Sequence, residues 1–365
     1  MTQNKTGKLI VFVIAAIGLL ALPILLQATG SNSWVRIVDI ALLYVLLALG
    51  LNIVVGYAGL LDLGYIAFFA VGAYMYGLLA SPHLAEHFAA IQAMFPDGLH
   101  VNIWLVMIAA AIVAGIVGMI LGAPTLKLRG DYLAIITLGF GEIIRIFLLN
   151  LDRPVNITNG PKGISQIDPL TVFGFNMGQR HTLSIGDWTY TFQPVTLYYY
   201  LFLFFVILAV VLSYRLQDSR IGRAWMAIRE DEIAAKAMGL NTRNLKLLAF
   251  GMGATFGGMS GVLFASFQRF VSPESFSLME SVMVVAMVVL GGIGHIPGVI
   301  LGALVLAGLP EILRHVAHPL VELTGGRLGP EILRQLLIAL AMVVVMLIRP
   351  KGLWPAPEHG KSLAK

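Results

Sequence analysis

Apolar runs of about twenty residues, each closed by a polar or basic stop, recur along almost the whole chain and constrain it more than any other feature. A helix rises about 1.5 Å per residue, so a run of that length crosses the ~30 Å hydrocarbon core of a bilayer. Only 12% of the 365 residues are charged and 58% are hydrophobic. Soluble domains carry about a quarter charged residues, so an ordinary soluble enzyme is excluded and an all-α polytopic membrane protein is implied. The 39 glycines suit helices that approach closely through small residues. There is no cysteine, which rules out disulfides, thiolate catalysis and Cys-ligated metals.

In order, the runs cover residues 9–27, 34–55, 60–80, 101–123, 131–150, 194–214, 247–270 and 332–348, with one longer block at 279–312. The first follows Lys5 and Lys8; it is longer than a signal-peptide core and lacks a small-x-small exit, so it reads as a retained helix. As one helix the block 279–312 would overshoot the bilayer. Gly291, Gly292, Gly294, His295, Pro297 and Gly298 interrupt it, so it divides into two spans, or a re-entrant pair, turning near His295. The total is then about ten transmembrane helices. An even count puts Lys5 and Lys8 on the same side as Arg349, Lys351, Lys361 and Lys365, so both termini are expected in the cytoplasm. One transmembrane domain thus fills 1–365. Residues 151–194, poor in Lys and Arg, form an external cap with short strands near 173–175 and 188–192, and 216–246 form a cytoplasmic loop. The net charge of +5 comes from basic residues beside apolar spans, the positive-inside pattern. With no aromatic–basic interleaving, the surroundings are membrane lipid and not nucleic acid.

The cytoplasmic loop is the longest strongly charged segment. As a helix it places Arg229, Glu232 and Lys236 on one face, with Glu232 and Lys236 an i, i+4 pair in the favoured order. Met226, Ala227, Ile233, Ala234, Ala237 and Met238 gather opposite, interrupted only by Glu230, and Gly239 offers a C-terminal stop. The segment can lie on the membrane as a solvated amphipathic helix, or dock on a partner through its small residues.

No catalytic motif is present: the chain lacks HExxH, GxSxG, GxxxxGK[ST] and GxGxxG. Ionisable residues inside spans are costly and mark function by default. Glu142 and Arg145, at i, i+3 in the fifth span, are either a pathway or gating pair or an ion pair that fixes packing. Glu280 stands at the external mouth of the eighth span, where it could meet a substrate ammonium. Arg36 and Asp39 lie near a membrane edge from which they can snorkel. Asp62 suits a helix N-terminus, and His295 a turn. Gly253, Gly257 and Gly261 in one span, and Gly118 with Gly122 in another, suit close helix packing. The turn-rich Asn159–Gly160–Pro161–Lys162–Gly163 does not lead from a strand into a helix, which argues against a phosphate cradle.

Five blocks together resemble the permease subunits of bacterial ABC importers for branched-chain amino acids, of the LivM type. They are LLDLGYIAFFAVGAY (60–74), LKLRGDYLAIITLGFGEIIRI (126–146), NGPKGI (159–164), GRAWMAIREDEIAAKAMGLN (222–241) and VVLGGIGHIPGVILGA (288–303). The resemblance implies a ten-helix permease of the inner membrane. It also implies a second homologous permease subunit, two separate ABC ATPase subunits that hold the ATP and Mg, and a periplasmic substrate-binding protein. The chain itself would bind no cofactor and catalyse no reaction. By resemblance, residues 224–239 are the helix that docks on an ATPase. Glu232, Ala234, Ala235 and Gly239 correspond to the E-A-A-x-x-x-G coupling motif, from which the chain departs by Ile233 after the glutamate; Arg229, Glu230 and Lys236 accompany it. Leucine, isoleucine and valine are the implied substrates. Urea and short amides, whose importers use similar permeases, remain an alternative. An ATP-independent channel or carrier would instead show matching broken helices in its two halves.

Overall fold

The computed structural model describes residues 18–27, 32–125, 130–172, 174–185 and 188–323, with scattered positions between 336 and 354. The span expected at 332–348 falls largely outside the described residues, as do Lys5, Lys8, Lys127, Arg129, Lys351, Lys361 and Lys365. Among the described residues, five helices are long and apolar enough to cross a membrane: α2 with its extension (Asn32–Tyr57), α6 (Ile103–Thr125), α7 (Asp131–Asn150), α8 (Pro194–Gln217) and α11 (Thr242–Gln268). Shorter apolar helices are α1 (Gly18–Gln27), α3 (Ile66–Leu79), α12 (Leu278–Gly291) and the first part of α13 (Ile296–Leu323). The protein is a multi-pass helical membrane protein, as the runs require.

The central element is α2 (Asn32–Asn52), which continues into a π-helical turn at Ile53–Tyr57. From Ala41 to Ala58 every residue but Tyr44 is buried, and α8 (Pro194–Gln217), α11 (Thr242–Gln268), α12 (Leu278–Gly291) and α13 (Ile296–Leu323) pack around it. A helix apolar all round belongs in such a position. Arg36 reaches outward, donating to Gln268 Oε1 at 2.7 Å and lying over the Phe267 ring. Asp39 does not snorkel: it is fully buried and neither carboxylate oxygen has a hydrogen-bond partner. Packing on both sides of α2 leaves its short side chain no route to the edge.

Beyond the π turn the chain is irregular until α3 (Ile66–Leu79), six residues later than the apolar run suggests. Asp62 precedes the helix instead of starting it; its Oδ1 accepts the Gly64 N–H at 2.9 Å in a local turn. Backbone groups left unpaired at membrane depth must find protein partners. Thr137 Oγ1 accepts the Leu63 N–H at 3.0 Å, and the Ser281 hydroxyl donates to the Leu63 carbonyl. The break is therefore held by α7 (Asp131–Asn150) and α12.

Helix α11 lies between α3 and α6 (Ile103–Thr125). A Cβ on Gly72 would sit 1.9 Å from the Gly258 carbonyl oxygen, and one on Gly261 would sit 2.1 Å from that of Phe69. The backbones meet where the sequence placed glycines at helical spacing.

The block 279–312 is two helices, α12 and α13, joined by a turn over Gly292–His295 with positive φ at Gly292 and Gly294. Residues near the chain's end close this junction. Leu353 N–H donates to the Leu290 carbonyl at 2.7 Å, Trp354 N–H to that of Gly291 at 3.1 Å, and His295 Nδ1 meets the Trp354 carbonyl at 2.9 Å.

At the opposite end, α4 (His83–His87) and α5 (Ala89–Met94) connect α3 to α6. Two hairpins, β1–β2 (Thr171–Val172, Phe175–Asn176) and β3–β4 (His181–Ile185, Trp188–Phe192), lie between α7 and α8. Strands thus fall at Phe175–Asn176 and Trp188–Phe192, where the sequence suggested short strands; Phe173 lies outside the described residues. The Asn159–Gly163 turn is pinned to the α11–α12 connection by a bridge between Ile164 and Val271, with Arg269 Nε donating to the Ile167 carbonyl at 3.2 Å. His100 meets Asp168 at 2.5 Å, and that hydrogen bond pulls the imidazole pKa up. His83 is buried, meets the Ile157 carbonyl and lies beside the His87 ring at a tilt; burial first, then the neighbouring imidazole, lowers its pKa.

Candidate functional site

The charged loop folds as two helices, not the single helix its periodicity suggests: α9 (Arg220–Glu230) and α10 (Glu232–Ala237). Asp231 makes the break. Its backbone is extended, and its Oδ1 accepts the N–H groups of Ile233 and Ala234 at 2.8 and 3.1 Å, an N-cap for α10. Ser219 caps α9 in the same way through Gly222 N–H at 3.0 Å. Gly239, at φ +85°, ends α10, while Leu240 N–H returns to the Ala235 carbonyl at 3.1 Å.

One face of this pair is rooted in the bundle. Trp225, Ile228 and Ala235 are buried, and the Trp225 indole donates to the Leu245 carbonyl at 2.7 Å. Glu232 pairs across the loop with Lys246 on α11 at 2.8 Å, where the Lys246 side chain is 7% exposed and that of Glu232 22%. The break at Asp231 resets the helical phase, and Lys246 lies where it is shielded from water, so the ion pair forms there. Glu232 and Lys246, together with Arg229, Gly59 and Leu133, border a cavity of about 230 Å3.

Arg229 extends the root furthest. Its guanidinium donates to the Gly56 carbonyl in the π turn of α2. Gly59 packs on its stem, where a Cβ would fall 2.8 Å from Arg229 Cγ; a Cβ on Gly294, in the α12–α13 turn, would fall 2.9 Å from Arg229 Nη1. Asn52 Oδ1 joins the same junction by accepting the Gly294 N–H at 2.9 Å. Arg229 thus touches both interruptions of the central helices, the π turn and the α12–α13 turn.

The other face is open. Ala227, Glu230, Ile233, Ala234, Lys236, Ala237 and Met238 are exposed, with Ile233 at 69% and Met238 at 83%. Large apolar side chains left outside between charges are the profile of a docking surface.

The remaining candidates lie elsewhere. Glu142 and Arg145 pair with each other on α7 at 2.9 Å. Glu280 begins α12 near the cap end, accepting a hydrogen bond from Tyr44 at 2.6 Å. Periodicity missed Trp225, Lys246, Asn52, Gly56 and Gly294 as members of the charged junction. One signal was legible: Asp231 before a short Ala-rich helix is an N-cap pattern.

A bundle around one largely buried helix that ends in a π turn, with a charged module rooted in that turn, defines a multi-pass membrane permease. The chain belongs to the family described as branched-chain amino acid transport system / permease component, which it matches over residues 33–346. It is 40% identical, over 97% of its length and 76% of the relative's, to the high-affinity branched-chain amino acid transport system permease protein LivM of Escherichia coli K12. It is 41% identical to the Salmonella typhimurium protein of that name, over 89% of this chain and 71% of the relative's. The Escherichia coli K12 permease LivH is also similar, 26% identical over 87% of this chain and 93% of its own length. No solved structure matches.

Proposed function

We propose that the chain is the LivM-type permease subunit of an ATP-driven inner-membrane importer of leucine, isoleucine and valine. It works beside a second, homologous permease, for which the likeness to both LivM and LivH proteins is the support. Two ATPase subunits carry the ATP and Mg, and a periplasmic protein delivers substrate to the cap; this chain conducts the substrate and catalyses no reaction. One observation carries the reading: the α9–α10 pair exposes an apolar and charged face while Arg229 and Lys246 root it in the bundle.

The geometry suggests how force would pass. An ATPase that grips the open face and closes on ATP pulls α9–α10. Arg229 carries that pull to the π turn of α2 and to the α12–α13 turn, and the Glu232–Lys246 pair carries it to α11. ATP shifts the access equilibrium only as far as these contacts differ between outward- and inward-facing states. Glu142–Arg145 neutralise each other on one helix, so their role in this scheme is to hold the α7 face and gate nothing by themselves.

The test is purification from native membranes in mild detergent with mass spectrometry of what accompanies the chain. ATPases and a second permease should travel with it and be lost on deletion of residues 224–239. Glu232→Lys should keep uptake components together yet uncouple leucine uptake from ATP hydrolysis. A chain that emerges alone and moves solute without ATP is a carrier, and one whose delivery protein binds urea belongs to the amide branch.

A further inference from the structure

Beneath the cap, α2, α3, α11 and α12 enclose a cavity of about 200 Å3 that the coupling module does not touch. Its wall is apolar (Ile40, Leu43, Leu47, Ile66, Phe69 and Phe264) except for Tyr44, Ser275 and Glu280. Small-ligand sites have this composition: an apolar lining with a few placed polar groups. A carboxylate in such surroundings is costly without a partner. The Tyr44 hydroxyl donates to Glu280 Oε2 at 2.6 Å, which fixes the carboxylate at the cavity edge, and no cation pairs with it among the described residues.

We infer that this cavity is a substrate subsite taking a small aliphatic α-amino acid, its ammonium on Glu280 and its hydrocarbon chain against Leu43, Leu47, Ile66 and Phe69. The inference rests on the amino-acid importer reading and adds a location to it. Size agrees: a cavity of about 150 Å3 holds benzene, so about 200 Å3 suits one amino acid and not a peptide. Charge agrees as well, since a lone carboxylate favours an ammonium and gives an uncharged amide no comparable contact. Position agrees too. Ser275 lies four residues beyond Val271, the residue bridged to Ile164, so the 151–194 segment is tied to a stretch that lines the cavity.

Because the chain has no cysteine, Ser275→Cys gives it a unique thiol in the cavity lining. The full chain, with its co-purifying subunits in lipid nanodiscs, is treated with a small methanethiosulfonate reagent, and labelling of this chain is timed by mass spectrometry. With leucine at about ten times its dissociation constant, labelling should slow about tenfold by mass action. In Ser275→Cys/Glu280→Gln the protection should vanish, while Ser275→Cys/Glu142→Gln should keep it. Unchanged labelling with leucine, or protection that survives Glu280→Gln, overturns the subsite. Leucine uptake by the unaltered complex is measured in parallel. Uptake without protection rejects the subsite alone, whereas protection by urea and not by leucine, with no leucine uptake, rejects the importer reading and the subsite with it.

Discussion

Removing one half of the Glu232–Lys246 pair should have unequal consequences. Glu232→Gln leaves an ammonium whose side chain is 7% exposed without its counter-charge. Stranding one member of a fully buried pair costs about 3–5 kcal/mol; since the Glu232 side chain is 22% exposed, water already supports part of it, and about 2–3 kcal/mol is expected. Lys246→Met is milder: the thioether follows the lysine stem through the same packing, and the carboxylate left behind reaches water, so under about 1 kcal/mol is lost. The readout is amide hydrogen exchange over 232–240 in nanodiscs. At about 1.4 kcal/mol per tenfold, Glu232→Gln should speed exchange about 30- to 150-fold and Lys246→Met no more than about fivefold. The double variant should resemble Lys246→Met, because it strands no charge. Equal effects of the two single changes, or an unaltered Glu232→Gln, would refute the claim that this pair holds α10 to the bundle.

Gly239→Ala places a side chain at φ +85° where no neighbour obstructs it; the cost is backbone strain alone, about 1 kcal/mol, and Gly239→Asn should cost less by the same exchange measurement. Gly72→Ala must displace backbone 1.9 Å from its new methyl and should destabilise by about 1–3 kcal/mol or more, whereas Gly139→Ala, with nothing within 4 Å, should be neutral in a detergent thermal-melt assay. In the α3–α6 connection the two histidines titrate in opposite senses. His100 has a raised pKa, so its contribution is full below 6.5 and fades as pH rises through the folded-state value; His83 has a lowered pKa, so its contribution is present above 6.5 and lost as pH falls through the folded-state value. Imidazole NMR titrations should place the two on either side of 6.5, and coincident midpoints would contradict both environments.

The membrane class and most spans were legible because hydrocarbon demands long apolar runs and because interruptions such as Gly292–His295 are visible as glycine and proline density. Helix starts were less so. The apolar run from Leu60 conceals a non-helical segment whose backbone is satisfied by Thr137 and Ser281, residues some seventy and two hundred positions away (|i−j| of 74 and 218). Local periodicity has no access to such partners. The same limit explains the site. An i, i+4 rule pairs Glu232 with Lys236, whereas folding supplies Lys246, and only tertiary contact brings Asn52, Gly56 and Gly294 to Arg229. Asp231 was the readable clue, since an extended residue whose carboxylate caps the next helix divides a segment whatever its periodicity.

The residues that close the α12–α13 junction also set a time at which it can be completed. The Leu290 and Gly291 carbonyls at the end of α12 receive their N–H donors from Leu353 and Trp354, more than sixty residues later in synthesis (Gly291 to Trp354 is 63 positions). Until the ribosome has released that stretch, two carbonyls at a helix end face apolar surroundings without donors. At about 5–20 residues per second the delay is about 3 to 13 seconds. During it, the turn that Arg229 contacts is unlatched, so a nascent chain can insert its helices before it can build a stiff connection from the charged module to the bundle.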